Sequence, residues 1–228
     1  MNFPNIGRVI PMALGVLLVL LVSLLLAISG LLALPMDVMV AARLREETNP
    51  VFDALMTHVS VLGKLMVAVP LTIAASIGLF LIHRSLEALF ALVTGSNFVV
   101  SSLLKIIVGR ERPSYEFKDP RGFIQVFEGY SFPSGHVVFF MSFFGVLAYL
   151  AWRHIAGWMR WASVLICAML IVLVGPSRVY LGAHWATDVA GGYIVGAIWL
   201  IVMVFAYETA VERLTSITRD TEPPGERG

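Results

Sequence analysis

The sequence predicts an all-α integral membrane protein, built as a bundle of six transmembrane helices. Of its 228 residues, 58% are hydrophobic and only 14% are charged, whereas a soluble domain carries about 25% charged residues. The mean hydropathy is +0.86. Several apolar stretches reach the length of about 20 residues with which a helix crosses the bilayer. None of them alternates with the period of two that a membrane β-barrel needs.

Six apolar stretches are assigned as membrane spans. They cover residues 11–34, 59–82, 86–108, 134–152, 158–174 and 184–207. The first stretch is too long for a signal-peptide core, which runs to about 7–15 residues, so it is expected to remain uncleaved. Lys64 lies near one end of the second span, where its long side chain can reach the interface.

The segments outside the spans define the domain organisation. Residues 1–207 are expected to form one membrane domain. The tail at 208–228 is polar and rich in proline and glycine, and it is predicted to be disordered. Residues 35–57 form either a short helix that lies in the membrane interface or a connecting loop.

An even number of spans places both termini on the same side of the membrane. The loops at 83–85 and 153–160 share that side and are short. Their basic residues are His83, Arg84, Arg153, His154 and Arg160. The positive-inside rule makes this side cytoplasmic. The segments that carry most of the remaining polar residues then face the extracytoplasmic side.

Net charge and cysteine content narrow the possible functions. The net charge of +1 gives no indication of nucleic-acid binding. The only cysteine, Cys167, lies in an apolar run, so the chain can form neither an internal disulfide nor a cysteine-based metal site. The sequence leaves the oligomeric state open.

Ionisable and small polar residues gather in three clusters, each where a loop meets the end of a predicted span. The clusters are KIIVGRERP at 105–113, PSGH at 133–136 and SRVYLGAHWATD at 177–188. Ionisable residues at the depth of the membrane are costly to bury and are candidates for function by default. The assigned spans place all three clusters on one side, so their residues are predicted to form a single site.

The cations of these clusters predict a phosphate site. Lys105, Arg112 and Arg178 have no equal number of acids nearby, and they would repel one another unless an anion lay among them. Arginine presents a planar fork of N–H groups that matches the oxygens of phosphate. The fourth helix is predicted to begin at Ser134, so its first N–H groups are available to an anion, and Gly135 permits a close approach.

The two histidines of the clusters are the candidates for catalysis. His184 and Asp188 stand at positions i and i+4, so they share one face of a helix. The carboxylate can hold one ring nitrogen while the other nitrogen faces a substrate. With His136 at the predicted phosphate cradle, one histidine can attack phosphorus while the other protonates the leaving oxygen. These segments show no cluster of Asp and Glu suited to a hard cation.

The three clusters resemble the signature of the type 2 phosphatidic acid phosphatase (PAP2) superfamily, K-x6-R-P, P-S-G-H and S-R-x5-H-x3-D, and every fixed position agrees. The chain is most similar to small bacterial membrane members, which act on lipid phosphates such as undecaprenyl pyrophosphate, phosphatidylglycerol phosphate and phosphatidic acid. The resemblance implies a six-span fold and hydrolysis through a phosphohistidine without a metal or other cofactor. It also implies a site on the extracytoplasmic face of the bacterial cytoplasmic membrane, with the lipid substrate arriving from the bilayer.

The resemblance further implies a role for each matching residue. His184 would be the nucleophile, His136 the general acid for the leaving group, and Asp188 the residue that orients His184. The phosphate would be bound by Lys105, Arg112, Ser134, Gly135, Arg178 and Ser177. Five further residues of loop 109–133 are left without a role, namely Arg110, Glu111, Tyr115, Lys118 and Arg121. Contact with a headgroup or a role as a lid is open for some of them, whereas most loop charges of this kind are solvated.

Two other functions would use the same residues. A phosphotransferase would pass the phosphoryl group to a lipid or sugar acceptor instead of water, and the motifs do not distinguish transfer from hydrolysis. A non-enzymatic transporter or scaffold would use the cationic site to bind an anion. The sequence shows neither the inverted repeats nor the broken helices of transporters, and a paired histidine and aspartate has no purpose in such a protein.

Overall fold

The computed structural model describes residues 6–46, 49–113 and 129–221, and within these ranges every regular element is helical. Five helices are long and apolar enough to cross a membrane, and one bent helix pair passes the same test as a unit. Counting that pair as one span gives the six spans that the sequence predicts. The prediction of an all-α membrane protein is therefore confirmed.

The described residues form ten α-helices. They are α1 (Ile6–Ile28), α2 (Pro35–Glu46), α3 (Pro50–Leu62), α4 (Leu65–Leu81), α5 (Ser85–Thr94), α6 (Asn97–Val108), α7 (Gly135–Phe139), α8 (Gly145–His154), α9 (Gly157–Tyr180) and α10 (Ala186–Thr221). A π-helical turn, Phe140–Phe144, joins α7 to α8, so Gly135–His154 is one continuous span. In the same way α5 and α6 together form the span Ser85–Val108.

The segment after the first span forms a helix. α1 ends at Ile28 rather than at residue 34, and the chain turns at Gly30, whose φ of +73° is a conformation that glycine adopts readily. α2 then covers residues 35–46, so this part of the segment is a helix and not a loop. Asp37 lies in the first turn of α2, where it accepts a backbone hydrogen bond and is fully buried.

The second predicted span, 59–82, is not one helix. α3 and α4 meet at an angle of 63°, with Gly63 and Lys64 at the break. Gly63 lies against the imidazole ring of His136, and a Cβ atom at this position would overlap with the ring. The break therefore brings backbone close to the centre of the bundle, at a point where a side chain does not fit. Lys64 is exposed at this break, and not at the end of a continuous helix as predicted.

The span Gly135–His154 lies at the centre of the bundle and is the most buried of the five single candidate spans, at 61%. Its phenylalanines form the core, with Phe139 stacked on Phe143 at 5.0 Å between ring centroids. Asn97 on α6 donates a side-chain hydrogen bond to Ser142 of this span, a polar link between helices that is typical of membrane proteins. The central span also contacts α9 and α10, so the start of α7 is held among the ends of its neighbours.

The last two helices are longer than the sequence predicts. α9 ends at Tyr180 rather than at residue 174. α10 continues to Thr221, so residues 208–221 are helical and not disordered as predicted, while 222–228 lie outside the described residues. Glu208 pairs with Arg153 at 2.8 Å, which anchors the start of this extension to α8.

A separate polar network lies at the end of the bundle away from the three clusters, where it links α5, α8 and α10. Glu87 accepts a hydrogen bond from Tyr207 at 2.9 Å, and its carboxylate lies 3.0 Å from His154 Nε2. Arg84 lies 3.6 Å from the same carboxylate. These groups satisfy one another, as polar groups buried in a bundle must, and the network therefore holds this end of the bundle together.

Small residues let α10 approach α7 closely. A Cβ atom on Gly192 would meet Val137 at 2.9 Å and the carbonyl oxygen of Ser134 at 3.0 Å. Gly196, one turn further along, lies in the same way against Met141. Glycines spaced by four residues thus form the face of α10 that packs on the central span.

We expect a larger residue at this contact to destabilise the bundle. Gly192→Val should lower the free energy of unfolding by about 1–3 kcal/mol, because the added atoms overlap with Val137 and the backbone of Ser134. Thermal unfolding of the purified protein in detergent measures the change. Gly78→Val is the matched control, since a Cβ atom at Gly78 meets nothing within 4 Å. Equal stability of the two variants would contradict the packing argument.

Candidate active site

The three polar clusters meet at one end of the bundle, where α6 and α9 end and α7 and α10 begin. α6 is terminated by Gly109, whose φ of +62° is left-handed. Beyond it, the carbonyl of Arg110 accepts a hydrogen bond from the N–H of Ser131 at 2.7 Å. The N–H of Ser134 in turn donates to the carbonyl of Asp188 at 3.1 Å. Backbone hydrogen bonds thus link the first cluster to Ser131, which precedes the second cluster, and the second cluster to the third.

Lys105 and Arg112 bind backbone carbonyls of neighbouring segments. Lys105 Nζ donates to the carbonyl of Tyr130 at 2.8 Å. Arg112 Nε donates to the carbonyl of Gly129 at 3.0 Å, and its Nη1 donates to that of Ala183 at 2.7 Å. Burial lowers the pKa of the Arg112 guanidinium, which a nearby carboxylate partly offsets. These bonds fix both cations at the edge of the site.

His184 lies just before α10, only 3% exposed, between a cation and a carboxylate. Its Nε2 lies 3.3 Å from Arg112 Nη1, which can only donate, so we assign the imidazole lone pair to Nε2. The proton is then on Nδ1, which faces Asp188 Oδ2 at 3.8 Å and Ser131 Oγ at 3.5 Å. Burial and the neighbouring cations lower the pKa of His184 well below its usual value of 6.5. At neutral pH the ring is therefore neutral, with a lone pair at Nε2 suited to attack.

Asp188 is fully buried, and both of its carboxylate oxygens are bound. Oδ1 accepts a hydrogen bond from Arg110 Nη1 at 2.6 Å. Oδ2 accepts from the backbone N–H of Trp185 at 2.8 Å and from the hydroxyl of Ser131. The 3.8 Å between Oδ2 and His184 Nδ1 is too long for a hydrogen bond. In this arrangement the aspartate acts on the histidine electrostatically and by way of Ser131.

His136 and Ser134 present buried polar atoms that have no hydrogen-bond partner among the described residues, namely Nε2 of the imidazole and Oγ of the hydroxyl. Ser134 is the N-cap residue of α7, but its hydroxyl does not cap the helix. A buried polar group left unpaired costs about 1–3 kcal/mol, so the arrangement fits a ligand that offers oxygen atoms here. His136 lies close enough to His184 and Arg178 to interact with both electrostatically.

Arg178 and Gly135 complete the buried part of the site. Arg178, at the end of α9, is 3% exposed and donates from Nη1 to the hydroxyl of Ser60 on α3. A Cβ atom at Gly135 would lie only 3.2 Å from Ser101 Oγ, so the start of α7 is tightly enclosed. The α3 segment before the break thus contributes directly to the site, by binding a cation of the third cluster.

The structure brings the predicted catalytic and phosphate-binding residues together, with one exception. Lys105 lies close enough to Arg112, Asp188 and Arg178 to interact with them electrostatically. The exception is Ser177, whose hydroxyl donates to the carbonyl of Val174 within α9 at 2.7 Å. Its role in phosphate binding stays a prediction.

Four further side chains of the site are not predicted from the sequence, namely Asp37, Ser60, Arg110 and Ser131. Arg110, to which the sequence assigns no role, is buried and pairs with both Asp37 and Asp188. Its place within the first cluster, two residues before Arg112, was the only available signal. Asp37 and Ser60 lie far from every motif, and no sequence pattern marks them. Tyr115, Lys118 and Arg121 of the same loop lie outside the described residues.

Positive charge exceeds negative charge among the described side chains of the site. The charged groups are Lys105, Arg110, Arg112, Arg178, Asp37 and Asp188. Leaving the histidines aside, these four cations and two carboxylates carry a formal charge of +2, which a phosphate dianion would balance. In the described part of the chain, no three His, Cys, Asp or Glu side chains group as metal ligands.

Fold and site together define a multi-pass membrane protein whose helix ends enclose a cationic centre flanked by two histidines. Comparison with known families assigns it more narrowly. The model of the PAP2 superfamily matches residues 86–212, which include all three clusters, and the chain belongs to this superfamily.

Individual relatives agree with this assignment. The chain is 30% identical over 169 residues to phosphatidylglycerophosphatase B of Bacillus subtilis (strain 168), covering 72% of this chain and 79% of that protein. It is 30% identical over 149 residues to an undecaprenyl-diphosphatase of Sulfolobus acidocaldarius, covering 65% and 66%. The crystal structure of a transmembrane PAP2 type phosphatidylglycerolphosphate phosphatase from Bacillus subtilis matches with a TM-score of 0.73 at 27% identity, covering 88% and 96%. The prediction of a membrane enzyme of the phosphatase class is confirmed.

We expect the site to bind inorganic phosphate. Phosphate should raise the melting temperature of the wild-type protein in detergent, and the rise should continue with the logarithm of the phosphate concentration above the dissociation constant. Arg178→Gln should weaken phosphate binding about ten- to a hundredfold, because a hydrogen bond to a charged group contributes about 1.5–3 kcal/mol. Arg160→Gln is the matched control, since Arg160 lies in the first turns of α9 and binds the carbonyl of Ile155. Equal phosphate affinity of the two variants would contradict an anion site at Arg178.

Proposed function

We propose that the protein is a lipid phosphatase, which removes the terminal phosphate of a lipid phosphate or diphosphate and transfers it to water by way of His184. One observation carries this proposal. A lone pair at His184 Nε2, the unpartnered atoms His136 Nε2 and Ser134 Oγ, and an excess of positive charge occur together at one end of the bundle. A phosphoryl group offers an electrophilic phosphorus to the His184 lone pair. It also offers oxygen atoms to His136, to Ser134 and to the cations.

The cations and the start of α7 would bind the phosphate. Lys105, Arg112 and Arg178 match its negative charge, and the Ser134 hydroxyl donates to one of its oxygens. The first N–H groups of the span that begins at Gly135 add a helix N-terminus, which favours anions. These groups would stabilise the charge that spreads over the equatorial oxygens in the transition state.

In the first step, His184 Nε2 would attack phosphorus. His136 enters this step as an imidazolium, a form that the bound phosphate dianion would favour. The bond between Nε2 and phosphorus forms while the bond from phosphorus to the lipid oxygen breaks, and His136 gives one ring proton to that oxygen and becomes neutral. The imidazole of His184 gains positive charge in this step. The buried carboxylate of Asp188, 3.8 Å from Nδ1, stabilises that charge and keeps the ring in its orientation.

In the second step, water would replace the histidine. His136, now without its proton, takes a proton from the attacking water, the bond between Nε2 and phosphorus breaks, and phosphate leaves with the oxygen of the water. The enzyme returns to its starting state with a neutral His184. The same two residues therefore serve both halves of the reaction.

The substrate class is a lipid with a phosphate or diphosphate headgroup. The relatives are named as a phosphatidylglycerophosphatase and an undecaprenyl-diphosphatase, which favours phosphatidylglycerol phosphate or undecaprenyl pyrophosphate. Phosphatidic acid is a third candidate, on the resemblance of the motifs alone. We place the site on the extracytoplasmic face of a bacterial cytoplasmic membrane. The basic loops 83–85 and 153–160 lie at the opposite end of the bundle, and the positive-inside rule makes that end, and both termini, cytoplasmic.

Replacement of the nucleophile tests the proposal. His184→Asn removes the attacking nitrogen but keeps a polar side chain of similar size, and it should reduce phosphate release about a thousandfold or more. The measurement is the rate of phosphate release by purified protein in detergent from phosphatidylglycerol phosphate, undecaprenyl pyrophosphate and phosphatidic acid. A metal chelator should leave the wild-type rate unchanged, because Lys and Arg side chains match the charge of the substrate.

His83→Asn is the matched control. His83 is exposed in the turn between α4 and α5, and its φ of 61° is a conformation that asparagine also adopts. This variant should keep wild-type activity. Full phosphate release by His184→Asn from every lipid tested would contradict the proposal. Label that appeared in a lipid acceptor instead of free phosphate would identify a phosphotransferase.

A further inference from the structure

Arg110 joins two buried carboxylates from distant parts of the chain. Its Nη2 donates to Asp37 Oδ2 at 2.8 Å, and its Nη1 donates to Asp188 Oδ1 at 2.6 Å. All three side chains are at most 3% exposed. Asp37 belongs to α2 and Asp188 to α10, while Arg110 follows the end of α6. One guanidinium group therefore connects α2 to the orienting aspartate of the proposed reaction.

We propose that Arg110 and Asp37 are positioning residues for this reaction and that they act through Asp188. The inference rests on the proposed function, since Asp188 matters to the rate only if His184 is the nucleophile. Neither residue belongs to the fixed positions of the PAP2 signature, and neither is placed to touch the substrate.

Arg110 determines which oxygen of Asp188 faces the histidine. Because Arg110 occupies Oδ1, Oδ2 is directed to Ser131 and to His184 Nδ1. A guanidinium group can hold two carboxylates at once through its planar fork, whereas the single ammonium of lysine is a point charge. The same residue also fixes Ser131, whose N–H donates to the Arg110 carbonyl. The position of Asp188 Oδ2 near His184 Nδ1 and its hydrogen bond with the Ser131 hydroxyl thus both depend on Arg110.

Asp37 holds Arg110 and the start of α10 at the same time. Its Oδ1 accepts a hydrogen bond from the backbone N–H of Thr187 at 2.8 Å. The hydroxyl of Thr187 lies 2.9 Å from the same oxygen and 2.7 Å from Arg110 Nη1. Thr187 directly precedes Asp188 in the chain. A shift of Asp37 would therefore move both Arg110, which binds the Asp188 carboxylate, and the backbone next to Asp188.

A double-mutant cycle on kcat tests whether Arg110 acts through Asp188. Arg110→Gln alone should lower kcat for a lipid phosphate about ten- to a hundredfold, as loss of such outer positioning groups commonly does, while KM stays nearly constant. Asp188→Asn alone should lower kcat about 10²- to 10⁴-fold. Arg110→Gln added to Asp188→Asn should lower kcat by less than about twofold more, because the group through which it acts is already neutral.

Conservative variants separate positioning from charge. Arg110→Lys keeps the charge but cannot bridge both carboxylates, so its kcat should lie between those of the wild type and Arg110→Gln. Asp37→Asn should lower kcat about tenfold or more with KM nearly constant. Glu111→Gln is the matched control, because this neighbouring acid is exposed, and it should keep wild-type kcat.

Equal losses from Arg110→Gln in the wild-type and Asp188→Asn backgrounds would overturn the inference, and so would wild-type kcat in Arg110→Gln. If Arg110→Gln does not fold in detergent, the same cycle is measured with Arg110→Lys, and additive losses again overturn the inference. A wild-type protein that releases no phosphate from any lipid phosphate refutes the proposed function and the inference with it. An active wild type with additive variants refutes the inference alone.

Discussion

The site depends most on Asp188, because this residue accepts hydrogen bonds from all three segments that carry the polar clusters. Its carbonyl binds the N–H of Ser134, Oδ1 binds Arg110, and Oδ2 binds Ser131 and the N–H of Trp185. A fully buried carboxylate is stable only when such donors surround it. The bundle must therefore bring the end of α6 and the starts of α7 and α10 to one point, and this convergence places the two histidines and the cations around a common centre.

The polar residues of this centre indicate a ligand, because polar groups are costly to bury in a membrane protein. Polar groups buried in a bundle are expected to find partners within the protein, as Glu87 does with Tyr207. Among the described residues away from the site, Asn97 Oδ1 and Trp199 Nε1 lack such a partner. At the site, the unpartnered polar atoms of His136 and Ser134 occur together, and cations outnumber carboxylates around them. A network that only stabilised the fold would not need both properties in one place. Their combination supports a phosphate ligand at this end of the bundle.

Hydropathy alone predicts most of the architecture, because each span is a long apolar run, but it does not reveal contacts between spans. The break at Gly63 is therefore invisible in the sequence, since it depends on the fit of a glycine against His136. Hydropathy does not predict the helical extension after residue 207 either, because the extension depends on a contact between helices, the ion pair of Glu208 with Arg153. In the site, the residue types at helix ends predict the histidines and the phosphate-binding cations. The place of Arg110 in the site is not predicted from the sequence, because its burial depends on Asp37, which lies 73 residues away in the chain.

The account requires that the substrate's phosphoryl group be bonded for a time to Nε2 of His184. The most direct measurement is rapid quenching of the protein during turnover of a lipid phosphate labelled at its terminal phosphorus, followed by mass spectrometry of the proteolysed chain. The account predicts an acid-labile and base-stable phosphoryl group on the peptide that contains His184, which disappears in His184→Asn. A label on another residue, or turnover without any labelled protein under conditions that preserve phosphohistidine, would contradict it.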